Sequence, residues 1–394
     1  MATDWIECTL GDVIELKRGY DLPRGDRKPG VVPLVSSSGV SDHQGEVMVR
    51  GPGVVTGRYG TLGQVFFIEQ DFWPLNTTLY VHDFKGNDPR FISYFLRSLD
   101  LGGYSDKAAV PGVNRNHLHR EPVRVPSSKA EQRRIAHILG TLDDKIELNR
   151  RMNESLEEMA RALFKSWFVD FEPVRAKAEG RDPGLPPHLA DLFPDRLVDS
   201  ELGEIPEGWK LGSLGEVLVE SQERTRDLAI PEYSCTDRGV VPRSQRFTKQ
   251  LSQSTSRNKL VRRGDFVFGI SRRILNFGMM PGEVGGVSSA YRVYRVDTAL
   301  IDPDQLETAI RMRHDYYYGA VSASSREGQS VSPEALRRLR VLIPPVELQE
   351  SFRRVQERPL GRSRNAAVES AVLQELRDAL LPRLLEGRWN GTLA

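Results

Sequence analysis

The apolar residues of this chain change period twice, and each change predicts a new kind of element. From residue 1 to about 127 they fall in short runs, Val31 to Val35, Val54 to Thr56, Gln64 to Ile68 and Thr77 to Val81, separated by turns rich in Gly, Ser and Pro. Such runs predict small mixed sheets with long loops, and the spacing within Phe91 to Leu99 predicts a helix among them. At Ser128 the period becomes helical. Ile135, Leu142, Asn149, Leu156 and Leu163 recur every seven residues, with Ile138, Met152 and Met159 at the complementary positions. This predicts a long helix over 128–170 with an a/d seam, started by the capping-box pattern Ser128-Lys129-Ala130-Glu131. At about 1.5 Å per residue the helix reaches roughly 60 Å. Asn149 in the seam suits a register-fixing polar residue; a solvated helix face is the simple alternative.

Residues 171–207 lose this pattern. Pro173, Pro183, Pro186, Pro187, Pro194 and Pro206 remove so many backbone donors that helix and sheet both suffer, and an ordered-to-loose linker is predicted. Residues 208–344 then repeat the first module. Trp5, Thr9, Leu10, Gly11, Asp12 and Val13 reappear 204 positions later as Trp209, Ser213, Leu214, Gly215, Glu216 and Val217. Asn114, Leu118, Val123, Val125 and Pro126 fall 218 positions before Ser332, Leu336, Val341, Ile343 and Pro344. The closing segment, 345–387, is a weaker helix: Phe352 and Val355 begin a stripe, Pro359 and Gly361 interrupt it, and Leu373, Leu376, Leu380 and Leu384 resume it. A break or kink near Pro359 is predicted. Helices with a single apolar seam are poorly stable alone, so the two long helices are expected to pair antiparallel. The predicted fold is α/β in the broad sense (α+β), with two similar modules of mixed β-sheets separated by two long helices in an antiparallel coiled coil, a pseudo-two-fold internal repeat. Two such modules on one chain suit a target that has two parts.

Composition narrows the chemistry. The 394 residues carry a formal net charge of only +1, so any nucleic-acid surface must be local. Cys8 and Cys235 lie in opposite halves without metal-ligand partners at useful spacing, which suggests reduced thiols and a cytoplasmic protein. The first residues lack the apolar core of a signal peptide, and no apolar run approaches the roughly 20 residues that cross a bilayer, so no membrane association is expected. Phosphate-loop, metalloprotease, Cys-x-x-Cys and nucleophile-elbow patterns are all missing from the sequence. Glu15-Leu16-Lys17 resembles the end of a nuclease motif but is explained by a solvated strand end. Ile343-Pro344-Pro345-Val346 has the prolines of a base-flipping methyltransferase tetrad without its amide or aromatic. No catalytic residue and no metal ligand is therefore assigned.

A binding pattern remains. Between Ser221 and Arg273 twelve basic residues face five acids. That excess suits a phosphate backbone, or a solvated basic face, and its arginines could also chelate guanine. From it Arg243, Gln245, Arg246, Arg272, Arg273 and Asn276 are taken as DNA-binding candidates. In the first module Lys17, Arg18, Arg58 and Tyr59 lie in or beside predicted turns, Arg58 within the glycine-rich Gly57 to Gly63 hairpin. Ser36, Ser37, Asn76 and Thr77 offer short hydrogen-bonding groups to base edges, or cap turns. Asn114 and Ser332 read as helix N-caps, the second followed by Pro333. Their neighbours Arg115, Asn116, Gln329 and Ser330 are candidates because a helix N-terminus attracts phosphate. On the first long helix Arg151, Glu158, Phe164, Trp167 and Phe168 are expected on an exposed flank that docks a partner, with core packing as the alternative.

The two Trp-x-x-x-Ser/Thr-Leu-Gly-Asp/Glu-Val starts, the opening Glu131-Gln132-Arg133-Arg134-Ile135, and the closing run from Ala162 to Val174 through Phe164-Lys165-Ser166-Trp167-Phe168 resemble the specificity subunit of type I restriction-modification systems. So do Leu192 to Asp195, Gly203 to Trp209 and the terminal Leu376 to Gly387. The resemblance implies two target recognition domains, 1–127 and 208–344, each reading half of a bipartite double-stranded DNA site. The helices 128–170 and 345–387, joined through 171–207, would dock methyltransferase subunits, and a translocating restriction subunit would join the assembly. S-adenosylmethionine, ATP and magnesium would belong to those partners, with no cofactor bound by this chain. Two other classes stay open at this point: a free-standing bipartite DNA-binding regulator without methyltransferase partners, and a nuclease with an unrecognised site.

Overall fold

The computed structural model describes residues 4–59, 63–99, 101, 113–226, 228–243, 256–269, 276–318, 321–324 and 328–386, with the backbone alone for 321–324 and 328–331. The chain divides into two compact units, Met1–Asn153 with Ser363–Ala394, and Glu154–Arg362. Two helices of 40 residues each, Lys129–Phe168 and Val346–Leu385, contribute one part to each unit.

In the first unit the β-rich runs form a four-stranded antiparallel sheet in the order Glu15–Arg18, Thr78–Asp83, Gly53–Gly57, Val65–Ile68. A second sheet sets Val32–Ser36 between antiparallel Gly39–Gln44 and parallel Trp73–Pro74. Trp5–Thr9 pairs antiparallel with Pro122–Pro126, closing the module's ends on each other. The helix Pro89–Ser98 is started by Asp88, whose carboxylate accepts from the Phe91 amide at 2.8 Å. Its apolar face, Phe91, Ile92 and Phe95, joins Ile135, Ala136 and Leu139 of the first long helix in one core.

The second unit repeats this order of strands. Leu218–Glu220, Arg292–Val296, Phe266–Gly269 and Asn276–Met279 form the equivalent four-stranded sheet, and Lys210–Ser213 pairs with Arg340–Ile343 as Trp5–Thr9 does with Pro122–Pro126. The helix Pro303–Met312 is capped by Asp302, as Pro89–Ser98 is by Asp88.

Each long helix is fastened to its module by one buried glutamine. Gln132 donates to the carbonyl of Pro126, which closes the last strand, at 3.0 Å and accepts from the Asp88 amide at 3.0 Å. Gln349 does the same in the second unit, donating to Pro344 O at 2.8 Å and accepting from the Asp302 amide at 2.8 Å. Both side chains are buried, so strand end, helix cap and long helix share one carboxamide.

The start of the first long helix holds half of the expected capping box. Ser128 Oγ accepts from the Glu131 amide at 3.4 Å, while the Glu131 carboxylate is engaged by Arg134 at 2.6 and 2.8 Å. In the first unit the long helices run antiparallel, with Asp143 against Arg377 and Lys145 against Glu369. Asn149 is 1% exposed and donates toward Ala366 O, Glu369 Oε2 and Ser370 Oγ at 3.4, 2.8 and 3.3 Å. That places it as a polar register residue and rules out a solvated face. The seam is not uniform, for Met159 is 63% exposed. In the second unit the antiparallel pairing is aromatic, with Phe164 and Phe168 at 5.8 and 4.8 Å from the Phe352 ring.

Three expectations are corrected. The second long helix has no break: it is helical through Pro359 and Gly361, since one proline costs a helix a single backbone bond while the residues around it keep theirs. The proline-rich 171–207 is ordered: it holds helices Glu172–Ala178 and Pro187–Ala190 and the hairpin of Leu197–Ser200 with Gly203–Pro206. Pro173 and Pro187 stand in the first turns of those helices, where no donor is required. Finally, Phe164, Trp167 and Phe168 leave the exposed flank. Trp167 is 2% exposed, packed on Phe193 and Phe352 at 5.2 Å each, and Phe168 lies 5.8 Å from Trp209. The linker's own Phe171, Val174 and Phe193 cover this aromatic cluster, which gives the linker its order and takes the cluster from the surface.

Gln132→Leu and Gln349→Leu are expected to destabilise their own units by about 1–3 kcal/mol each, because a buried amide donor and a carbonyl lose their partners; denaturant unfolding of the two variants checks this. The first unit should also lose stability in mild acid. The His119 Nε2 accepts from the Leu16 amide at 2.9 Å, and burial, aided by Arg115, lowers its pKa below the ordinary imidazole value. The unfolded chain then binds the proton first, so this stability is full above that ordinary value and falls as pH drops through it. Unfolding measured from pH 8 to 5 should show a slope that His119→Gln flattens.

Candidate nucleic-acid interface

The first-module candidates converge on one rim, built by backbone hydrogen bonds between turns. The Leu75 amide donates to Val35 O at 2.8 Å, Tyr20 to Pro74 O at 2.8 Å, Gly19 to Thr78 O at 3.1 Å and Arg58 to Thr77 O at 2.8 Å. Val113 donates to Arg58 O at 3.0 Å, which brings the start of helix Arg115–His119 to the same place. Gly19 is required there: a Cβ on it would stand 2.2 Å from Leu75 O. Arg18, Ser36, Arg58, Tyr59, Asn76 and Thr77 are therefore neighbours, although they come from four turns. Arg58 stacks 4.5 Å over the Tyr59 ring, leaving its guanidinium edges for acceptors. Asn76 is held by the Asp21 carboxylate, and Arg18 reaches the same residue at 3.4 Å. Lys17 sits one residue further along its strand, 3.4 Å from Glu15. Arg115 and Asn116 are exposed, and Asn114 caps their helix by accepting from the Asn116 amide at 3.0 Å.

The turn at Ser36 recurs in the second module. Ser36 Oγ accepts from the Ser38 amide at 3.3 Å and donates to Gly39 O at 3.1 Å; Thr236 Oγ1 accepts from the Arg238 amide at 3.1 Å and donates to Gly239 O at 3.1 Å. Gly39 and Gly239 both take a positive φ, +101° and +102°, which glycine alone adopts readily. An identical frame thus presents Ser37 and Ser38 in one module and Asp237 and Arg238 in the other. Only the pairing of the two hairpins across the repeat, a signal present in the sequence, would have singled out Arg238.

The basic stretch of the second module is more engaged than its composition suggests. Glu223 receives both Arg262, at 2.7 Å, and Arg295, and these hold its carboxyl down to about 2. Arg263 meets Glu283 at 2.7 Å, Arg243 reaches Ser234 Oγ at 3.2 Å and lies 4.0 Å from Glu232, and Lys259 is buried. The phosphate footprint there is correspondingly smaller among the described residues. Asn276 opens its strand opposite Gly269. Gln329 and Ser330 lie in strand Gly328–Val331, paired with Ala323 and Ser322. Gln245, Arg246, Arg272 and Arg273 fall outside the described residues. Of the partner candidates, Arg151 is exposed and pairs with Glu147 at 2.8 Å, and Glu158 is exposed. Among the described residues there is no group of His, Cys, Asp or Glu fit to hold a metal, and no helix is long and apolar enough to cross a membrane.

The fold sets out two like modules, and the first offers a polar, arginine-bearing rim built from turns. Residues 2–158 match the family model for the type I restriction modification DNA specificity domain. The chain is 29% identical over 231 residues, 52% of its length, to the type I restriction enzyme HindI specificity subunit of Haemophilus influenzae, and it spans about half, 49%, of that relative. To the type I restriction enzyme MjaIX specificity subunit of Methanocaldococcus jannaschii it is 26% identical over 324 residues, 75% of this chain and 68% of that one. In fold it is similar to the crystal structure of the type I restriction-modification S subunit from M. genitalium, with a TM-score of 0.59, 15% identity and coverage of 97% and 96% of the two chains. Over residues 2–158 the chain thus carries the type I restriction modification DNA specificity domain, and over its wider length it is similar to type I restriction enzyme specificity subunits.

Arg58→Ala and Arg115→Ala should each lower the slope of log affinity for DNA against log salt by about 1, the signature of one lost phosphate contact. Titration at several salt concentrations checks this, and an unchanged slope for both variants would take the rim off the DNA.

Proposed function

We propose that this chain is the DNA sequence-specificity subunit of a type I restriction-modification complex. Each module reads one half of a bipartite double-stranded DNA site, and the long helices dock methyltransferase subunits that methylate adenine. The observation that carries this reading is the repeated frame with different side chains. Strand order, helix caps and the Ser36 and Thr236 turns coincide in the two modules, while the residues those turns present differ. A protein that reads two unlike half-sites requires that combination.

The chain itself performs no chemistry in this reading and binds no cofactor. S-adenosylmethionine, ATP and magnesium serve the methyltransferase and a translocating restriction subunit, and the assembly works in the cytoplasm. Docking falls to the exposed helix faces, since the aromatics at the end of the first long helix are covered. Val368, Val372 and Leu376 stand one turn apart on the second long helix, 66%, 58% and 43% exposed, an apolar stripe in the first unit. Arg151 and Glu158 supply charged contacts on the first long helix.

Mixed with its methyltransferase subunit and S-adenosylmethionine, the purified chain should direct adenine methylation to a bipartite site, and alone it should transfer no methyl group. Val372→Glu should weaken association with the methyltransferase at least about tenfold. Methyl transfer by the chain alone, or full association of the variant, would contradict the reading. Four residues inserted after Asn149, matched by four before Ala366 so that the Asn149 register is kept, lengthen each helix by about 6 Å. The spacer between unchanged half-sites should then grow by about one or two base pairs, at roughly 3.4 Å each.

A further inference from the structure

Asp143 is the meeting point of three elements of the first unit. Its carboxylate accepts from Tyr94 Oη at 2.8 Å and Arg97 at 3.0 Å, both on the module helix Pro89–Ser98, and from Arg377 of the second long helix at 2.8 Å. These three donors hold its pKa below the ordinary carboxylate range although burial opposes them. Open grooves of about 680 and 590 Å³ flank this cluster, both lined by Tyr94, Arg97, Asp143 and Glu147. Phe91 and Phe95 of the module helix share one apolar core with Ile135, Ala136 and Leu139 of the first long helix. Past that apolar contact, Arg90 reaches Gly140 O and Asp144, and Asp143 makes the tie that also holds the second long helix.

The second unit lacks this device. Counting eleven residues from the clamp glutamine, Asp143 after Gln132 corresponds to Leu360 after Gln349. Thr308, at the place of Tyr94, turns its hydroxyl to Asp304 O at 2.8 Å, and Arg311, at the place of Arg97, lies 4.8 Å over the Phe277 ring of its own module.

We infer that Asp143 is a positioning residue that fixes the angle of the first module on the helix pair, and through it the spacer length the protein accepts between half-sites. The spacer part rests on the proposed DNA-reading function, whereas the angle does not. The angle is read by pulsed electron-spin distances between labels on cysteines placed at the exposed Ser38 and Ala371, in full-length protein. Asp143→Asn, which keeps the shape and removes the charge, should broaden that distance distribution, and Tyr94→Phe, which removes one donor, should broaden it less. Arg311→Ala in the second unit should leave it unchanged. On DNA whose spacer is varied one base pair at a time, with methyltransferase present, Asp143→Asn should lose about tenfold of the discrimination against wrong spacers, while both half-sites stay the same. A variant that melts cooperatively and keeps the native distance distribution overturns the inference, whatever its methylation. If Asp143→Asn fails to fold, an unchanged distribution in Tyr94→Phe combined with Arg97→Met overturns it equally. A broadened distribution with unchanged spacer choice would remove Asp143 as a specificity determinant.

Discussion

The structure depends most on a buried carboxamide in the first turn of each long helix. Gln132 and Gln349 each satisfy a strand-end carbonyl and a helix-cap amide at once. Sealed from water, neither group could be left unpaired without a cost comparable to a lost hydrogen bond. The consequence is mechanical. The closing strand of the module, the cap of its one substantial helix and the start of its long helix are tied at one point, so each module is anchored to the helix it leads into. A reader of two half-sites requires rigidity at that joint.

Beyond the shared clamp the two units are held by different physics. In the first, polar and charged groups decide: Asn149 sets the register across the helix pair and Asp143 gathers Tyr94, Arg97 and Arg377. Part-exposed ion pairs of this kind weaken with salt. In the second unit the aromatic group of Phe164, Trp167, Phe168, Phe193, Trp209 and Phe352 performs the same task and is indifferent to salt. The repeat tryptophans show the divergence. Trp209 lies inside that cluster, whereas its counterpart Trp5 is half-exposed under Arg124, 5.6 Å from its ring.

Much of this was legible in the sequence where one local interaction decides the conformation. The caps at Asn114, Ser128 and Ser332, the strands beginning near Val32, Val54 and Val65, and the polar register at Asn149 are set by neighbours within a turn or by one seam. Long-range partners decided the rest. Pro359 reads as a breaker in isolation, yet one missing bond does not stop a helix whose other residues keep theirs. The prolines of 171–207 read as a linker without helix or strand until Phe171, Val174 and Phe193 are seen covering the Trp167 cluster. The same cover turned three candidate docking aromatics into core. For the rim, the residue types were legible, but their convergence came from backbone bonds between four turns, and the ion pairs of Glu223, Glu232 and Glu283 were hidden in a simple charge count.

The central claim, that two modules read two halves independently, is tested most directly by mapping methylated adenines across a genome after residues 208–344 are exchanged for the corresponding module of a relative. The account predicts a bipartite site in which one half changes while the other half and the spacer length persist. A change in both halves, or one short continuous site in either protein, would contradict it.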